Sequence, residues 1–243
     1  MKRFCIVQFL IFSLITIGNS QSEFIDYRTV FPESFSNATY YLTQNKWMVD
    51  TLKKRGVDPF ISLSVVFPEL IRFNQMQDNI EVTALNTLYI QYGSSYSNFS
   101  IGRFQMKPSF AEDIEAEWNC LTPKPECFKS VIFDSTQTRN NRRMRIQRLD
   151  NQVGQLFYLS LFYFIVERKF SINLKTDLEK VHFYATAYNY GFRRDFEKIK
   201  AHILMKEFHT DIFKTKFTTC YSYADISSFF YQYFKKTETI KTP

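Results

Sequence analysis

Glycine and proline are scarce in this chain, with six and seven copies in 243 residues. A β-rich fold needs a turn after every short strand, so this scarcity argues against one and favours long helices. Hydrophobic residues make up 45% and aromatic residues 18% of the chain, which is enough to build a sizeable core. The length suits one domain, or one domain with a tail.

Several catalytic signatures are also absent. The three histidines, His182, His202 and His209, show neither the HExxH pattern nor another ligand spacing, so we expect no zinc site. The chain has no Gly-x-Ser-x-Gly nucleophile motif and no glycine-rich phosphate loop. These absences leave acid–base chemistry by carboxylates as the main catalytic option.

The first residues have the layout of a secretory signal peptide. Lys2 and Arg3 precede an apolar run over 4–17, and small residues follow before the cleavage site expected near Ser20. The run is shorter than the roughly 20 residues of a membrane span, although an uncleaved anchor stays open. We therefore predict a signal peptide over 1–20, a domain over 21–243, and an exported protein that is periplasmic or secreted, with no stable membrane span after cleavage.

The charge is strongly positive. Without Lys2 and Arg3 the formal net charge of +7 becomes +5, which suits an anionic polymer such as cell-wall glycopeptide, acidic polysaccharide or nucleic acid. Five arginines between 139 and 148 either contact phosphates or carboxylates, or form a solvated helix start. Export argues against nucleic acid as a partner. The sequence indicates no protein partner.

Cysteine spacing suggests one covalent link. In an oxidising compartment, Cys120 and Cys127 bracket a proline-stiffened loop and are expected to pair, which leaves Cys220 as the odd thiol. Removal of the signal peptide also removes Cys5, so three cysteines remain in the exported chain.

Apolar spacing and capping residues predict a largely α-helical chain. Asp58 is the expected N-cap of a helix that Pro68 bends or restarts. Capping boxes are predicted at Ser109 with Glu112, and at Thr176 with Glu179. The expected helices cover about 43–54, 58–73, 80–92, 109 onwards, an internal core helix around 156–166, 176–190 capped by Gly191, 194–208 and 224–235.

One carboxylate lies in apolar company. Glu69 follows the run SLSVVFP and precedes Leu70, Ile71 and Phe73. Burial among such neighbours raises the pKa of a glutamate, which then donates a proton closer to neutral pH. The alternative is a surface glutamate on the polar side of the same helix.

Three short motifs occur in order along the chain. Their residues are Glu69, then Gly102–Met106 with Pro108 and Ala111, then Ala187–Gly191. This order resembles the lytic transglycosylases of the lysozyme-like superfamily, which share a catalytic glutamate ending an apolar helix, a Gly-Leu-Met-Gln segment followed by proline and alanine, and an Ala-Tyr-Asn motif. The resemblance covers about 58–198.

The resemblance implies a mainly α, lysozyme-like (SLT-type) single domain with N- and C-terminal helical extensions. It implies cleavage of the MurNAc-GlcNAc β-1,4 bond of peptidoglycan glycan strands with a 1,6-anhydro product, and no metal or other cofactor. Glu69 would be the acid and base. The residues that would contact the saccharide or orient the centre are Gly102, Gln105, Met106, Tyr188 and Asn189.

Departures from the family pattern keep alternatives open. Leu70 occupies the position of the family's serine, and Arg103 and Phe104 replace its Leu-Met pair. A non-catalytic peptidoglycan-binding protein is one alternative. The other is a hydrolytic muramidase, which often uses a second carboxylate; Glu81 is also a rival to Glu69 itself. The candidate second carboxylates are Asp78, Glu81, Glu112 and Asp113.

Overall fold

Helices dominate the architecture, as the scarcity of glycine and proline predicts. The computed structural model describes residues 25–73, 79–134, 136–211 and 214–241, so the predicted signal peptide lies outside the described residues. Two short 3-10 turns, Glu126–Phe128 and Ser171–Asn173, interrupt the helical order. The α-helices are α1 Tyr27–Val30, α2 Pro32–Gln44, α3 Trp47–Lys54, α4 Pro59–Phe73, α5 Asn79–Tyr92, α6 Pro108–Cys120, α7 Arg139–Leu149, α8 Gln152–Phe170, α9 Asp177–Tyr190, α10 Phe196–His202 and α11 Tyr223–Lys241.

Helix α4 lies at the centre of one continuous core and packs against α2, α9 and α11. The Asp58 carboxylate caps it as predicted, accepting hydrogen bonds from the backbone N–H groups of Phe60 at 2.8 Å and Ile61 at 3.0 Å. The helix runs on through Pro68, so of the two predicted outcomes, a bend or a restart, the restart is wrong. Proline removes one backbone hydrogen bond, and burial of the surrounding turns on every side outweighs that loss.

The predicted core helix is confirmed. Helix α8 buries most of its length, and the side chain of Asn151 caps it by accepting from the Gly154 N–H at 2.8 Å. The capping box of Thr176 and Glu179 is also confirmed at the start of α9. Gly191, with φ of 118°, ends that helix and donates its N–H to the Ala187 carbonyl.

Two other helix predictions need correction. The capping box at Ser109 is absent: the Glu112 carboxylate instead accepts from the Tyr89 hydroxyl at 2.8 Å and the Ser94 hydroxyl at 2.7 Å. The Ser109 N–H donates to the Asn98 side chain at 3.1 Å, so a distant loop supplies the cap. The helix predicted over 194–208 ends at His202.

A small antiparallel sheet follows α10. Strand β1, Lys206–Phe208, pairs with strand β2, Tyr221–Ser222.

The helix predicted over 43–54 is divided, since α2 ends at Gln44 and α3 begins at Trp47. No helix in the described part of the chain combines the length and the apolarity that crossing a membrane requires.

The arginine cluster is largely structural. Arg145 is buried between Glu115, at 2.5 Å, and the hydroxyl of Tyr89. Arg142 donates to the carbonyl groups of Ile90 at 2.9 Å and Gln91 at 3.0 Å, which lie at the end of α5. Satisfying the last carbonyls of a helix is a capping role. These two side chains are therefore neither solvated nor free to bind phosphate.

The predicted disulfide is wrong in this structure. Cys120 and Cys127 are free and exposed, and Cys220 is also free. The thiol of Cys127 donates to the Arg55 carbonyl at 3.3 Å. The loop between the two cysteines is therefore held by packing and hydrogen bonds in place of a covalent bond.

Candidate active site

A groove of about 500 Å³ opens where the end of α4, the start of α6 and the end of α9 meet. Its lining contains five of the six residues that the sequence nominates: Glu69, Gln105, Met106, Tyr188 and Asn189. Three separate motifs of the sequence are therefore brought to one cavity. Gly102 does not line it.

Glu69 is the buried acid of the groove. It is 4% exposed near the end of α4, and its carboxylate lies 3.2 Å from the Arg72 guanidinium one turn later. Burial raises the pKa of Glu69, while the charges of Arg72 and Lys107 act in the opposite direction. Burial is the largest effect, so this carboxyl holds its proton to higher pH than an ordinary glutamate.

Two tyrosines flank the acid. The Tyr188 hydroxyl donates to the Phe104 carbonyl at 2.6 Å, and the Tyr223 hydroxyl donates to the Val65 carbonyl at 3.0 Å. Burial and the charge of Glu69 raise the pKa of both phenols well above the ordinary value. Both therefore stay neutral hydrogen-bond donors and acceptors. Tyr223 comes from the first turn of α11 and was not predicted from the sequence.

The segment Gly102–Met106 forms a tight turn, which explains why its sequence shows no helical period. Ile101 and Met106 exchange two backbone hydrogen bonds of 3.0 and 3.1 Å. Gln105 has φ of 49°, a left-handed conformation that is uncommon outside glycine, and its side-chain amide donates to the Gly102 carbonyl at 2.8 Å. Met106 is 1% exposed, so its side chain packs beneath the groove.

Gly102 supports this turn from behind. Its φ is +67°, and a Cβ there would lie 1.6 Å from the side-chain nitrogen of Gln155. Gln155 accepts from the Phe104 N–H at 2.8 Å and donates to the Leu149 carbonyl at 2.7 Å. Close packing against Gln155 therefore accounts for the glycine, and a contact between Gly102 and saccharide stays a prediction.

The departures from the family pattern have local explanations. Phe104 is fully buried in the core, and Leu70 is 2% exposed. The Arg103 guanidinium stacks over the rings of Phe73, at 4.2 Å, and Tyr41, at 5.0 Å. Such cation–π contacts hold the turn against α4 and α2. These three positions therefore serve packing.

One of the candidate second carboxylates lines the groove. Asp113, on α6, pairs with Arg193 at 2.8 Å. Glu112 points to Tyr89 and Ser94, as described above. Asp78 lies outside the described residues, and so does the side chain of Glu81.

Sequence reasoning missed most of the groove's charges. Arg72 had a signal, because a residue three positions from Glu69 lies on the same helix face. Arg193 and Arg194 follow the Ala-Tyr-Asn motif, and Lys107 follows the turn, but only the folded chain brings them to Glu69. In the described ranges, no group of three or more His, Cys, Asp or Glu side chains is placed to hold a metal ion.

Comparison with known proteins gives no further guide to this groove. No protein-family model matches the chain, and neither a curated protein nor a solved structure matches it significantly. The side chains of the groove and the motif resemblance of the sequence are therefore the indications of function.

Proposed function

We propose that this protein is an exported peptidoglycan lytic transglycosylase with a lysozyme-like fold. One observation carries the proposal: Glu69 is buried at a groove that also receives Gln105, Met106, Tyr188 and Asn189. An acid whose pKa is raised by burial is what protonation of a glycosidic oxygen requires near neutral pH. The mainly helical architecture supports the fold assignment.

In the first step, protonated Glu69 gives its proton to the oxygen of the scissile β-1,4 bond. The C–O bond to that oxygen breaks, and positive charge develops on the sugar carbon. The substrate's own N-acetyl group stabilises this charge. Arg72, at 3.2 Å, stabilises the carboxylate that remains after proton transfer.

In the second step, the Glu69 carboxylate takes a proton from the sugar's 6-hydroxyl. The hydroxyl oxygen attacks the sugar carbon and closes a 1,6-anhydro ring. Glu69 must therefore be stable in both protonation states. Burial favours the acid, and the charges of Arg72 and Lys107 favour the carboxylate, so each protonation state has groups that favour it.

A hydrolytic muramidase is the second candidate, and Asp113 supports it. This carboxylate lines the same groove as Glu69 and is accessible to a water molecule. Arg193 pairs with Asp113 at 2.8 Å and with Glu117 at 3.1 Å, so its guanidinium holds the Asp113 carboxylate in a fixed position at the groove, where a general base would act on that water. A binding protein without turnover is the remaining alternative.

The test is Glu69→Gln, which keeps the size of the side chain and removes its exchangeable proton. We expect the variant to fold, to bind peptidoglycan, and to release soluble fragments roughly 10²–10⁴-fold more slowly. Asp113→Asn is the matched control and should retain most of the activity of a transglycosylase. Full activity of Glu69→Gln would exclude Glu69 as the acid, and loss of activity in Asp113→Asn as well as in Glu69→Gln would favour the muramidase.

A further inference from the structure

The groove of Glu69 carries more positive than negative charge. Four cationic and two anionic side chains line it. Arg72 pairs with Glu69 at 3.2 Å, and Arg193 pairs with Asp113 at 2.8 Å. Two cations, Lys107 and Arg194, have no carboxylate partner among the described residues. A surplus of positive charge in a binding groove favours an anionic ligand.

Arg194 is held in place by the protein. Its guanidinium carbon lies 4.0 Å from the ring centre of Tyr190, and its Nε donates to the Tyr190 carbonyl at 3.0 Å. The ring of His202 stacks on Tyr190 at 3.7 Å and 9°. Since two groups so close to one ring centre must cover opposite faces, Tyr190 is clamped between them.

This clamp leaves the outer end of Arg194 available. Its two terminal nitrogens make no hydrogen bond within the described chain, and the residue is exposed at the groove. A guanidinium binds a carboxylate through two parallel N–H···O bonds, and an ordered side chain loses less conformational entropy when it does so. Arg194 is therefore pre-organised for a carboxylate.

Lys107 places a second free cation in the same groove. It precedes Pro108 at the start of α6, its side chain is exposed, and it lines the groove together with Glu69 and Arg194. A neutral amino-sugar polymer would leave both Lys107 and Arg194 without a salt-bridge partner. A polymer with carboxylates would pair with them.

We infer that Arg194 and Lys107 form an anion subsite that binds carboxylate groups carried by the saccharide. This inference rests on the proposed function and specifies its substrate. In peptidoglycan the carboxylate has two sources: the lactyl group of muramic acid where no peptide is attached, and the acidic groups of the stem peptide. The chemistry recognised is the same in both.

The experiment compares three preparations of one peptidoglycan. The first is intact, the second is stripped of peptides by an amidase and keeps its lactyl carboxylates, and the third has its carboxylates converted to amides. Binding is measured by sedimentation with Glu69→Gln, and release of fragments with the wild type. We expect the amidated material to be bound and cleaved roughly ten-fold less well than the intact material, as for loss of one charge-assisted contact.

Arg194→Gln should show the same roughly ten-fold loss on the intact material and no further loss on the amidated material. Arg143→Gln is the matched control, because it removes the same charge from an exposed position on α7 that does not line the groove. It should behave as the wild type does. The difference in binding between intact and amidated material should be smaller at high salt than at low salt, because salt screens interactions between exposed charges.

The outcomes separate the subsite from the proposed function. Equal binding and cleavage of intact and amidated material would overturn the subsite and leave the enzyme in place. Release of no fragments from any preparation would overturn the proposed function, while the sedimentation measurements would still decide the subsite. Preference for stripped strands or for intact material would support the subsite and identify the lactyl group or the stem peptide as its ligand.

Discussion

Gly102→Ala separates a structural from a substrate-binding role for the glycine of the turn. The new Cβ would lie 1.6 Å from the Gln155 side-chain nitrogen and 2.9 Å from the Leu149 carbonyl oxygen. The first distance is far inside van der Waals contact, so the Gln155 amide must move. Its movement breaks the hydrogen bonds with the Phe104 N–H and the Leu149 carbonyl.

The cost has two sources. A left-handed conformation at Ala costs about 1–2 kcal/mol. Two buried backbone groups that lose their partner cost about 1–3 kcal/mol each. We therefore expect the free energy of unfolding to fall by at least about 3 kcal/mol, which corresponds to a fall in melting temperature of roughly 6–12 °C in a domain of this size.

Gly56→Ala is the matched control for thermal or urea unfolding. Gly56 has φ of +71°, close to that of Gly102, but a Cβ there would meet nothing within 4 Å. This variant should lose only the backbone contribution of about 1–2 kcal/mol. Equal losses in the two variants would refute the argument from Gln155. A nearly normal melting temperature in Gly102→Ala, together with a raised KM, would show that the glycine serves saccharide binding.

Three further predictions follow from burial and charge. Burial raises the pKa of Glu69, so the folded state binds more protons than the unfolded state above about pH 4.3. Glu69→Gln should therefore gain stability relative to the wild type as pH rises from 4 to 8 in thermal scans. A stability difference between the two proteins that stays constant with pH would contradict this prediction. Glu115→Ala should lower the free energy of unfolding by about 3–5 kcal/mol in urea titrations, because it removes the carboxylate 2.5 Å from the buried Arg145 guanidinium. A loss below about 1 kcal/mol would show that water replaces the carboxylate. Asn189→Ala should reduce turnover strongly, and because Asn189 is exposed it should change the free energy of unfolding by no more than about 0.5 kcal/mol. A large fall in melting temperature would show that Asn189 has a structural role.

The helices can be predicted because their signals are local. The same holds for the two site segments at helix ends, Glu69 on α4 and Ala187–Gly191 at the end of α9. Asp58 before Pro59 and the pair Thr176 and Glu179 fix helix starts within one turn, and both were predicted correctly. Glu69 stands out because burial of a charged residue among apolar neighbours costs free energy unless the charge is paired or hydrogen-bonded. That it lies buried at a groove agrees with the expectation.

The errors and omissions arise where residues that are distant in the sequence determine the local structure or complete the site. Ser109 and Glu112 have the spacing of a capping box, but Glu112 instead accepts hydrogen bonds from Tyr89 on α5 and from Ser94 in the turn that follows α5. Tyr223 follows Glu69 by more than 150 positions, so no local pattern connects them. The glycine of the turn was assigned to saccharide because Gln155, which it packs against, cannot be located from the sequence.

The most direct test of the central claim is mass spectrometry of the fragments that the wild type releases from purified peptidoglycan. If Glu69 regains its proton from the 6-hydroxyl, each cleavage leaves a 1,6-anhydro sugar on the side of the attacked carbon and a free hydroxyl on the leaving sugar, and each fragment that ends in the anhydro sugar is one water lighter than the hydrolysis product. Glu69→Gln should release such fragments only at the roughly 10²–10⁴-fold lower rate expected above. Fragments with ordinary reducing ends would contradict the transglycosylase and identify a muramidase, and absence of any fragments from the wild type would contradict an enzymatic role.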